Sequence, residues 1–402
     1  MPTAPLAGVR VVDFSHHVAG PYCTRLLAEY GADVIKVERP GTGDPSRQAG
    51  PFVRDEPHFE GSLLHLHLNV AKRSVTLNLK SGEGREIAKR LVAGAEVVVE
   101  SFRPGTMERF GLGYGELRKA HASLVMTSIS NFGQTGPYRD YAASEIVAYA
   151  MGGPMQSTGH ATREPLKLAG NIAQYQAGSV AAFGTMAALL RAETTGESEH
   201  VDVSIYETQM GSRDRRTVQL TAYQYTGDVI GRAPTAVSLG AGVRPTSDGY
   251  IMLAAYGKRL PNLLRTIGRE DLLDDPRVAA PSGGLDREFV EDVEASYLAW
   301  SVSRPKAQAL AEAQAERIVG ASLNTIGDLF HDPHFVERDP WDRIDHPYAG
   351  KADYAGRPFM FSEAIRPSPA PAPLLGQHTD EVLSEIGYSK SDIADLRAEG
   401  VL

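Results

Sequence analysis

LAGVRVVDFSHHVAGPYCTRLLAEYGADVIKVERPGTGD, residues 6–44, is the stretch that decides the fold, because it encodes one complete βαβ unit. The valine-rich run Gly8–Phe14 predicts a strand, and Asp33–Glu38 predicts a second strand. Pro21 predicts the start of the helix between them, since proline fits the first turn, where no N–H is needed, and Gly31 predicts its end. The unit lacks the G-x-G-x-x-G fingerprint of dinucleotide-binding folds. We therefore expect a parallel sheet that binds a different kind of ligand.

The composition of the 402 residues is that of an ordinary globular protein, with 42% hydrophobic and 23% charged residues. A net charge of −9 argues against a nucleic-acid partner but leaves room for a local basic pocket. The single cysteine, Cys23, excludes a disulfide framework and a thiolate metal cluster, and we expect it to face the core from a helix. The opening residues, MPTAPLAG, show no basic or apolar leader, so we expect a cytoplasmic protein without membrane partners.

One uncharged stretch, Leu168–Leu190, is about long enough to span a bilayer. It contains Asn171, Gln174, Gln176 and several glycines, and Arg191 follows it directly. We interpret it as a loop followed by a buried helix rather than as a membrane span.

Strand and helix patterns alternate along the first half of the chain, which predicts a parallel sheet covered by helices on both faces. The fold class is predicted to be α/β: an open, parallel, Rossmann-like sheet in a large domain, plus a smaller α+β domain. The predicted domains are 1–225 (large, ligand-binding), 226–330 (small) and 331–402 (an extended return with C-terminal helices that pack on a large domain). The predicted elements of the first half include helices at Glu83–Ala93, Ala143–Met151 and Tyr175–Arg191 and strands at Glu96–Glu100, Ser123–Ser130 and His200–Ser204.

Short motifs run along nearly the whole chain. They are D-F-x-x-x-x-A-G-P at Asp13–Pro21, G-A-D-V-I-K-V-E-R-P-G-x-G-D at Gly31–Asp44, Lys72–Val75 with Lys80, Phe102–Gly105 with Gly111–Gly113, Ser128–Tyr138, Met151–Gly153 and Pro373–Leu383. In this order and spacing they resemble the class III CoA-transferases, a CaiB/BaiF-like family that includes formyl-CoA, carnitine and benzylsuccinate CoA-transferases and α-methylacyl-CoA racemases. The resemblance implies an interlocked dimer, in which two open chains thread through each other.

The resemblance also implies covalent chemistry at an aspartate. In this family a carboxylate attacks the acyl-CoA thioester, CoA leaves as a thiolate and returns to form an aspartyl-CoA thioester, and an acceptor acid then takes the CoA. The family's Asp lies just before a helix that ends in A-A-L. Counted back from Met186–Leu189, its position here is Gln174. An amide cannot form a stable acyl anhydride, although it can still donate or accept hydrogen bonds.

Several explanations of Gln174 are open. The chain is the non-nucleophilic subunit of a two-gene transferase of the benzylsuccinate type, or it uses the pocket for non-covalent isomerisation, dehydration or lyase chemistry, or a nearby carboxylate replaces the Asp. The nearest carboxylates are Glu145, read either as an acid–base group or as a helix N-terminal acid, and Glu164, read as a solvated loop residue. A CoA-binding scaffold without chemistry is a further alternative. The histidine of the family's racemases falls at Ser144, so racemisation by a His–Asp pair is not expected.

CoA carries a 3′-phosphate, a pyrophosphate and an adenine, so its pocket needs basic side chains, backbone N–H groups at a helix start and apolar flanks. The matching family positions are His16, Ala19, Arg39, Lys72, Phe102, Arg103 and Arg109. Val18 departs from the pattern, because formyl-CoA transferase-like enzymes often have glutamine there. We expect acyl-CoA and a carboxylic acid as substrates, no permanently bound cofactor, and a homodimer or a heteromer with an Asp-bearing paralogue.

One pair of histidines invites a metal hypothesis. His65 and His67 are two residues apart and would share one face of a strand. No third ligand has suitable spacing, so we expect no metal site.

Overall fold

Six parallel strands form the central sheet of the computed structural model, in the order β3-β2-β1-β4-β5-β6. They are β1 (Arg10–Asp13), β2 (Asp33–Glu38), β3 (Arg73–Thr76), β4 (Val97–Glu100), β5 (Val125–Ser130) and β6 (Glu199–Ser204). The open parallel sheet predicted from the alternating pattern is confirmed. The pattern does not single out β3, because this strand is four residues long and begins with a basic residue, Arg73, directly after Lys72.

The structure describes residues 3–211, 215–229, 231–232, 239–279, 286–356 and 359–402. The chain divides into two compact units, of which the first contains residues 1–159, 163–232 and 340–402 and the second contains residues 160–162 and 233–339. Whether the predicted segments 1–225, 226–330 and 331–402 behave as separate domains stays a prediction.

Helices cover both faces of the sheet, as the sequence predicts. The first unit contains α1 (Ala19–Glu29), α2 (Leu63–Leu68), α3 (Gly82–Ala93), α4 (Thr106–Arg109), α5 (Tyr114–Ala120), α6 (Glu145–Met151), α7 (Ile172–Thr195), α8 (Ile205–Gly211) and α9 (Arg215–Thr226). Because strand side chains alternate between faces, Val11 and Val97 cluster with α1 and α7, whereas Val12 and Val98 cluster with α3 and α5.

The uncharged stretch Leu168–Leu190 forms a short loop and most of α7, which agrees with the prediction of a loop and a buried helix. Ala173, Ala177 and Ala181 on this helix are fully buried. Within the described ranges, the search for a helix long and apolar enough to cross a membrane finds none.

The second unit pairs a small antiparallel sheet with helices. Its strands are β7 (Ala241–Thr246), β8 (Gly249–Ala254) and β9 (Val319–Ser322), and its helices are α10 (Leu260–Thr266), α11 (Arg287–Val302), α12 (Lys306–Ala315), α13 (Ile326–His331) and α14 (Pro333–Arg338). Alternate residues of β8, Ile251 and Leu253, join Tyr297 and Trp300 of α11 in its core.

The last part of the chain returns to the first unit. It forms a hairpin of β10 (Trp341–His346) and β11 (Gly350–Ala355), an irregular segment that includes the predicted connector 368–373, and the helices α15 (Thr379–Glu385) and α16 (Lys390–Ala398). The N–H of His378 donates to the carbonyl oxygen of Ser74 on the edge strand β3 at 2.9 Å. Leu383 and Ile393 then enter the core on the α3 side of the sheet.

The order of the strands determines where a ligand can enter. It reverses between β1 and β4, so the loops that leave the carboxyl ends of these neighbouring strands turn to opposite sides. Such a reversal opens a crevice at the carboxyl edge of a parallel sheet.

Candidate functional site

A cavity of about 770 Å³ lies at this edge of the sheet, entirely within the first unit. Loops that follow β1, β4 and β5 surround it, as expected for a reversal point. Its lining comprises His16, His17, Ala19, Ser101, Phe102, Arg103, Pro104, Arg109, Ile129, Ser130, Asn131, Arg139, Asp140, Tyr141, Ala142, Ala143, Ser144, Glu145, Ala148, Gln174 and Ile205. Of the positions singled out in the sequence, His16, Ala19, Phe102, Arg103, Arg109, Glu145 and Gln174 are brought together here.

Buried charges hold the loop after β1 in place. The ammonium group of Lys36 donates to the carbonyl oxygen of Ser15 at 2.9 Å and pairs with Asp44 at 2.8 Å. Asp44 also accepts the backbone N–H of His17 at 3.1 Å. Burial raises the pKa of Asp44, but the charge of the Lys36 ammonium group lowers it by more. The pKa of this carboxyl group therefore lies well below the usual range of an aspartic acid. Lys36 and Asp44 therefore fix the backbone on both sides of His16.

Lys72, one of the predicted CoA-binding residues, belongs to the same buried support and is not among the residues that line the cavity. Its ammonium group donates to Asp13 at 3.2 Å, to the carbonyl oxygen of Pro21 at 2.9 Å and to Asn69 at 2.9 Å. Burial lowers the pKa of Lys72 to about 8, although Asp13 raises it. Burial raises the pKa of Asp13, yet Lys72 and Lys36 lower it to about 2. Three protein acceptors already surround this ammonium group, so contact between Lys72 and CoA stays a prediction.

The loops after β1 and β4 contact each other across the strand reversal. The N–H of His16 donates to Ser101 Oγ at 2.8 Å, and the His16 ring meets the edge of the Phe102 ring at 5.0 Å between centroids. The N–H of Phe102 donates to the buried carboxyl of Glu100 at 2.7 Å. Burial, together with the charge of Lys36, lowers the pKa of His16, so its imidazole is neutral at pH 7.

Gln174 reaches the cavity from the first turn of α7. One turn further on the same face lies Gly178, where a Cβ would come within 2.5 Å of the carbonyl oxygen of Ala19. Glycine thus lets α7 approach the start of α1 closely, and this approach brings residue 174 to the loop after β1. The carboxamide is partly exposed and lies where a helix N-terminus favours negative charge.

The carboxylate of Glu145 accepts hydrogen bonds from the start of α7. One carboxylate oxygen accepts the N–H of Ala173 at 2.9 Å, and the other accepts the N–H of Gln174 at 3.2 Å. Lys167 lies 3.6 Å away. Glu145 therefore acts as an acid at a helix N-terminus, which is one of its two interpretations. Its carboxylate binds the first N–H groups of α7, although the residue itself begins α6. Ser144 before it lies at the N-cap position of α6.

Arg139 is a cavity residue that the sequence did not single out. A Cβ built on Gly105, whose φ is +81°, would lie 3.4 Å from Arg139 Nη2 and 3.6 Å from Arg109 Nη1. Arg103 also lines the cavity, so three guanidinium groups surround it in a protein of net charge −9. The available signal was the position of Arg139 in the loop after β5, the third strand end at this edge.

A groove of about 400 Å³ adjoins the cavity and shares His16 and Phe102 with it. Arg39 lines this groove and not the larger cavity, together with Leu79, Lys80 and Phe110. The combination of two basic side chains with apolar and aromatic flanks suits a ligand that has both charged and flat parts.

The remaining sequence candidates lie elsewhere. Val18 is buried, Glu164 is exposed in a loop, and Cys23 is buried in α1, as expected. His65 and His67 lie on the short helix α2 and not on a strand, so they do not share a strand face. His65 contacts Ser46 and Asn69, and His67 contacts Arg25. Over the described part of the chain, no group of three or more His, Cys, Asp or Glu side chains is arranged to hold a metal ion.

Comparison with known proteins gives consistent matches. Residues 6–379 match the model of CoA-transferase family III. The chain is 32% identical to succinyl-CoA–D-citramalate CoA-transferase of Chloroflexus aurantiacus, over 100% of this chain and 99% of the relative. It is 31% identical to formyl-CoA:oxalate CoA-transferase of Escherichia coli O157:H7, over 98% and 99% of the two chains.

Two solved structures have the same fold. A CAIB/BAIF family protein from Brucella suis superposes with a TM-score of 0.83 at 30% identity, over 96% of this chain and 100% of that one. Rv3272 from Mycobacterium tuberculosis superposes with a TM-score of 0.77 at 28% identity, over 94% and 99% of the two chains.

Proposed function

Since the chain belongs to CoA-transferase family III, we propose that its cavity binds an acyl-CoA thioester and that it acts as the non-nucleophilic subunit of a heteromeric CoA-transferase. The observation that carries this proposal is the amide of Gln174 on the cavity wall, at the position that the family resemblance assigns to the nucleophilic Asp. A heteromer requires that an Asp-bearing paralogue supply the reacting carboxylate.

The other carboxylates of the cavity do not fit the role of replacement nucleophile. Among the described lining residues these are Glu145 and Asp140. Both oxygens of Glu145 accept backbone N–H groups, and attack on a thioester would have to break those bonds at a helix terminus. The Asp140 side chain is 80% exposed, and its 3.9 Å contact with Arg139 does not hold it firmly in position for attack.

In the proposed enzyme the partner's carboxylate attacks the thioester carbonyl, the C–S bond breaks, and CoA leaves as a thiolate. The thiolate attacks the aspartate-derived carbonyl of the anhydride and expels the donor acid, which leaves an aspartyl-CoA thioester on the partner. The acceptor carboxylate then attacks this thioester and releases the thiolate, which attacks the acceptor-derived carbonyl of the second anhydride, so that the acceptor leaves as its CoA thioester and the partner's carboxylate is regenerated. This chain holds the nucleotide part of CoA, and the Gln174 amide can donate a hydrogen bond to a carbonyl oxygen in the cavity. CoA is a substrate in this scheme, and no resident cofactor is required.

Intact-mass spectrometry after incubation with succinyl-CoA tests the missing nucleophile. We expect no adduct on the wild-type chain and a mass gain of one CoA minus water on Gln174→Asp, removable by hydroxylamine. Gln174→Asn is the matched control, since it differs from Asp only in the amide nitrogen. A CoA adduct on the wild-type chain would show that another carboxylate serves and would refute the subunit proposal.

Coexpression with an Asp-bearing paralogue from the same genome tests the heteromer. We expect the two chains to copurify and CoA transfer to require both, with activity lost when the paralogue's Asp is changed to Asn. A wild-type chain that is a homodimer and turns over alone would contradict the proposal. The interlocked arrangement of the chains, and residence in the cytoplasm, are parts of the same proposal.

His16 supports a second candidate, non-covalent isomerase- or lyase-type chemistry on the same thioester. Its neutral imidazole lines the cavity and could take a proton from the carbon next to the thioester carbonyl. Exchange of that proton for deuterium in D₂O, followed by NMR, tests this candidate. Exchange by the wild-type chain that is lost in His16→Gln would favour it, and absence of exchange would remove it.

A further inference from the structure

We propose that Arg109 and Arg139 together bind one phosphate group of CoA beside Gly105. The proposal rests on the acyl-CoA site proposed above and assigns a binding role to Arg139, a residue outside the family positions identified in the sequence.

The geometry places two guanidinium groups close to one point beside Gly105. Arg139 Nη2 lies 3.4 Å and Arg109 Nη1 lies 3.6 Å from the position of a Cβ on Gly105, so the two nitrogens are within about 7 Å of each other. Arg109 arrives from α4 and is steadied by a 2.8 Å hydrogen bond from its Nη2 to Thr106 Oγ1. Arg139 arrives from the loop after β5, so two separate elements supply the pair.

Neither Arg109 nor Arg139 forms a close ion pair with a carboxylate among the described residues. Among the described residues, Arg109 has no carboxylate within 4.0 Å, and the pairing of Arg139 is a 3.9 Å contact with Asp140, whose side chain is 80% exposed. The Nε of Arg139 is buried and has no hydrogen-bond partner in the described part of the chain. Two like charges at this separation repel each other, and an anion between them would add two attractive interactions that outweigh the repulsion.

A phosphate fits this arrangement better than a carboxylate does. It offers three oxygens and more than one negative charge, so two guanidinium groups can each donate to it, and Arg groups bind phosphate in a bidentate manner. CoA supplies two such groups, the 3′-phosphate of the ribose and the pyrophosphate. The shared chemistry is an Arg–phosphate–Arg contact, and the two sources can be separated by the choice of ligand.

Isothermal titration of the full-length protein with CoA, 3′-dephospho-CoA and pantetheine tests the proposal. We expect Arg139→Gln to weaken CoA binding about 10- to 100-fold, the cost of losing a charge-assisted contact, and Arg139→Lys to recover part of the loss. Loss for CoA alone assigns the 3′-phosphate, and equal loss for CoA and dephospho-CoA assigns the pyrophosphate. Arg191→Gln is the charge-matched control, because residue 191 lies 17 residues, or about 25 Å, along α7 from Gln174.

Two results would overturn the inference. Unchanged CoA affinity in Arg139→Gln, or an equal loss for pantetheine, which has no phosphate, would show that Arg139 does not contact a phosphate. The thermal midpoint of each variant is measured alongside, and Arg139→Lys keeps the test valid should Arg139→Gln fold poorly. If the wild-type chain itself does not bind CoA, the proposed acyl-CoA site fails, whereas wild-type binding with an unchanged variant refutes the Arg139 role alone.

Discussion

The carboxyl group of Glu100 lies buried at the end of β4, directly behind the loop that carries Phe102 and Arg103. Burial raises its pKa from 4.5 to about 7, although hydrogen bonds from Ser128 and from the N–H of Phe102 lower it. The carboxylates of Glu108 and Asp202 raise it further, and no basic side chain is among its main influences. A carboxyl group that supports a binding loop therefore titrates near neutral pH.

The first prediction concerns the pH dependence of stability. Between pH 4.5 and 7 the folded state holds a proton on Glu100 that the unfolded state releases, so this group's contribution to stability falls as pH rises, by about 3 kcal/mol in total. Glu100→Gln keeps an acceptor for Phe102 but cannot ionise. We expect the free energy of unfolding in urea to decline for wild type relative to this variant from pH 5 to pH 8.

The comparison with Glu100→Gln removes competing effects. Burial lowers the pKa values of His65 and His67 to about 3, so their contributions fall as pH drops below 6.5, the opposite direction. Both proteins contain these histidines, so their effect cancels in the difference. A difference between wild type and variant that stays constant with pH would contradict a raised pKa at Glu100.

Among secondary-structure elements, the contact between α1 and α7 decides where residue 174 lies. Gly178 sits against the carbonyl oxygen of Ala19 and the side chain of Tyr22, with no room for a methyl group. Since Gln174 precedes it by one turn, any displacement of α7 at this contact also displaces the residue in the cavity.

The second prediction tests that contact with Gly178→Ala. A Cβ would come within 2.5 Å of Ala19 O, so the helices must separate, and we expect a loss of about 1–3 kcal/mol in unfolding free energy together with weaker CoA binding. Gly115→Ala in α5 is the control, because nothing lies within 4 Å of a Cβ there, and alanine stabilises a helix relative to glycine. Equal effects of the two substitutions would refute the close-packing argument.

Sequence reasoning succeeded for elements with strong local patterns. The run Asp33–Glu38 forms β2 as predicted, because it contains the β-branched residues Val34, Ile35 and Val37 and follows the turn at Gly31. It failed for His65 and His67, since α2 is a six-residue helix whose apolar residues alternate as they would in a strand. Such a short segment takes its conformation from tertiary packing and from the Ser62 cap.

The same limit applies to the site. Residues that follow strands could be placed at one edge of the sheet from the sequence, and His16 and Phe102 meet there. The position of Gln174 on the same cavity was expected from the family resemblance alone. Lys72 could not be separated from them, because whether a lysine faces a cavity or a buried Asp13 depends on long-range packing. Arg139 was missed for a related reason, since its proximity to Arg109 brings the loop after β5 close to helix α4, 30 residues earlier in the chain.

At the scale of the whole molecule, the C-terminal helices complete a core that the first half of the chain begins. Val382, Leu383 and Ile393 pack with Val12 and Val98 of the central strands. The sheet face opposite α1 and α7 is therefore closed by residues from both ends of the sequence.

The third prediction concerns this closure. Leu383 is fully buried, so Leu383→Ala should lower the free energy of unfolding by about 2–5 kcal/mol through lost burial and a residual cavity. Ile326→Ala, at a side chain that is 76% exposed, should change it by less than about 0.5 kcal/mol. Urea titration of both variants measures the difference, and a small effect at Leu383 would mean that α15 adds little to the core.

The contact of the C-terminal segment with strand β3 can form only late in synthesis of the chain. The backbone N–H and C=O of Ser74 are hydrogen-bonded by His378, which lies 304 residues later in the chain. At 5–20 residues per second, a ribosome needs roughly 15–60 s to make that intervening segment. Throughout this interval the hydrogen bonds between His378 and Ser74 cannot form, so this edge of β3 is open to strand addition by a neighbouring nascent chain.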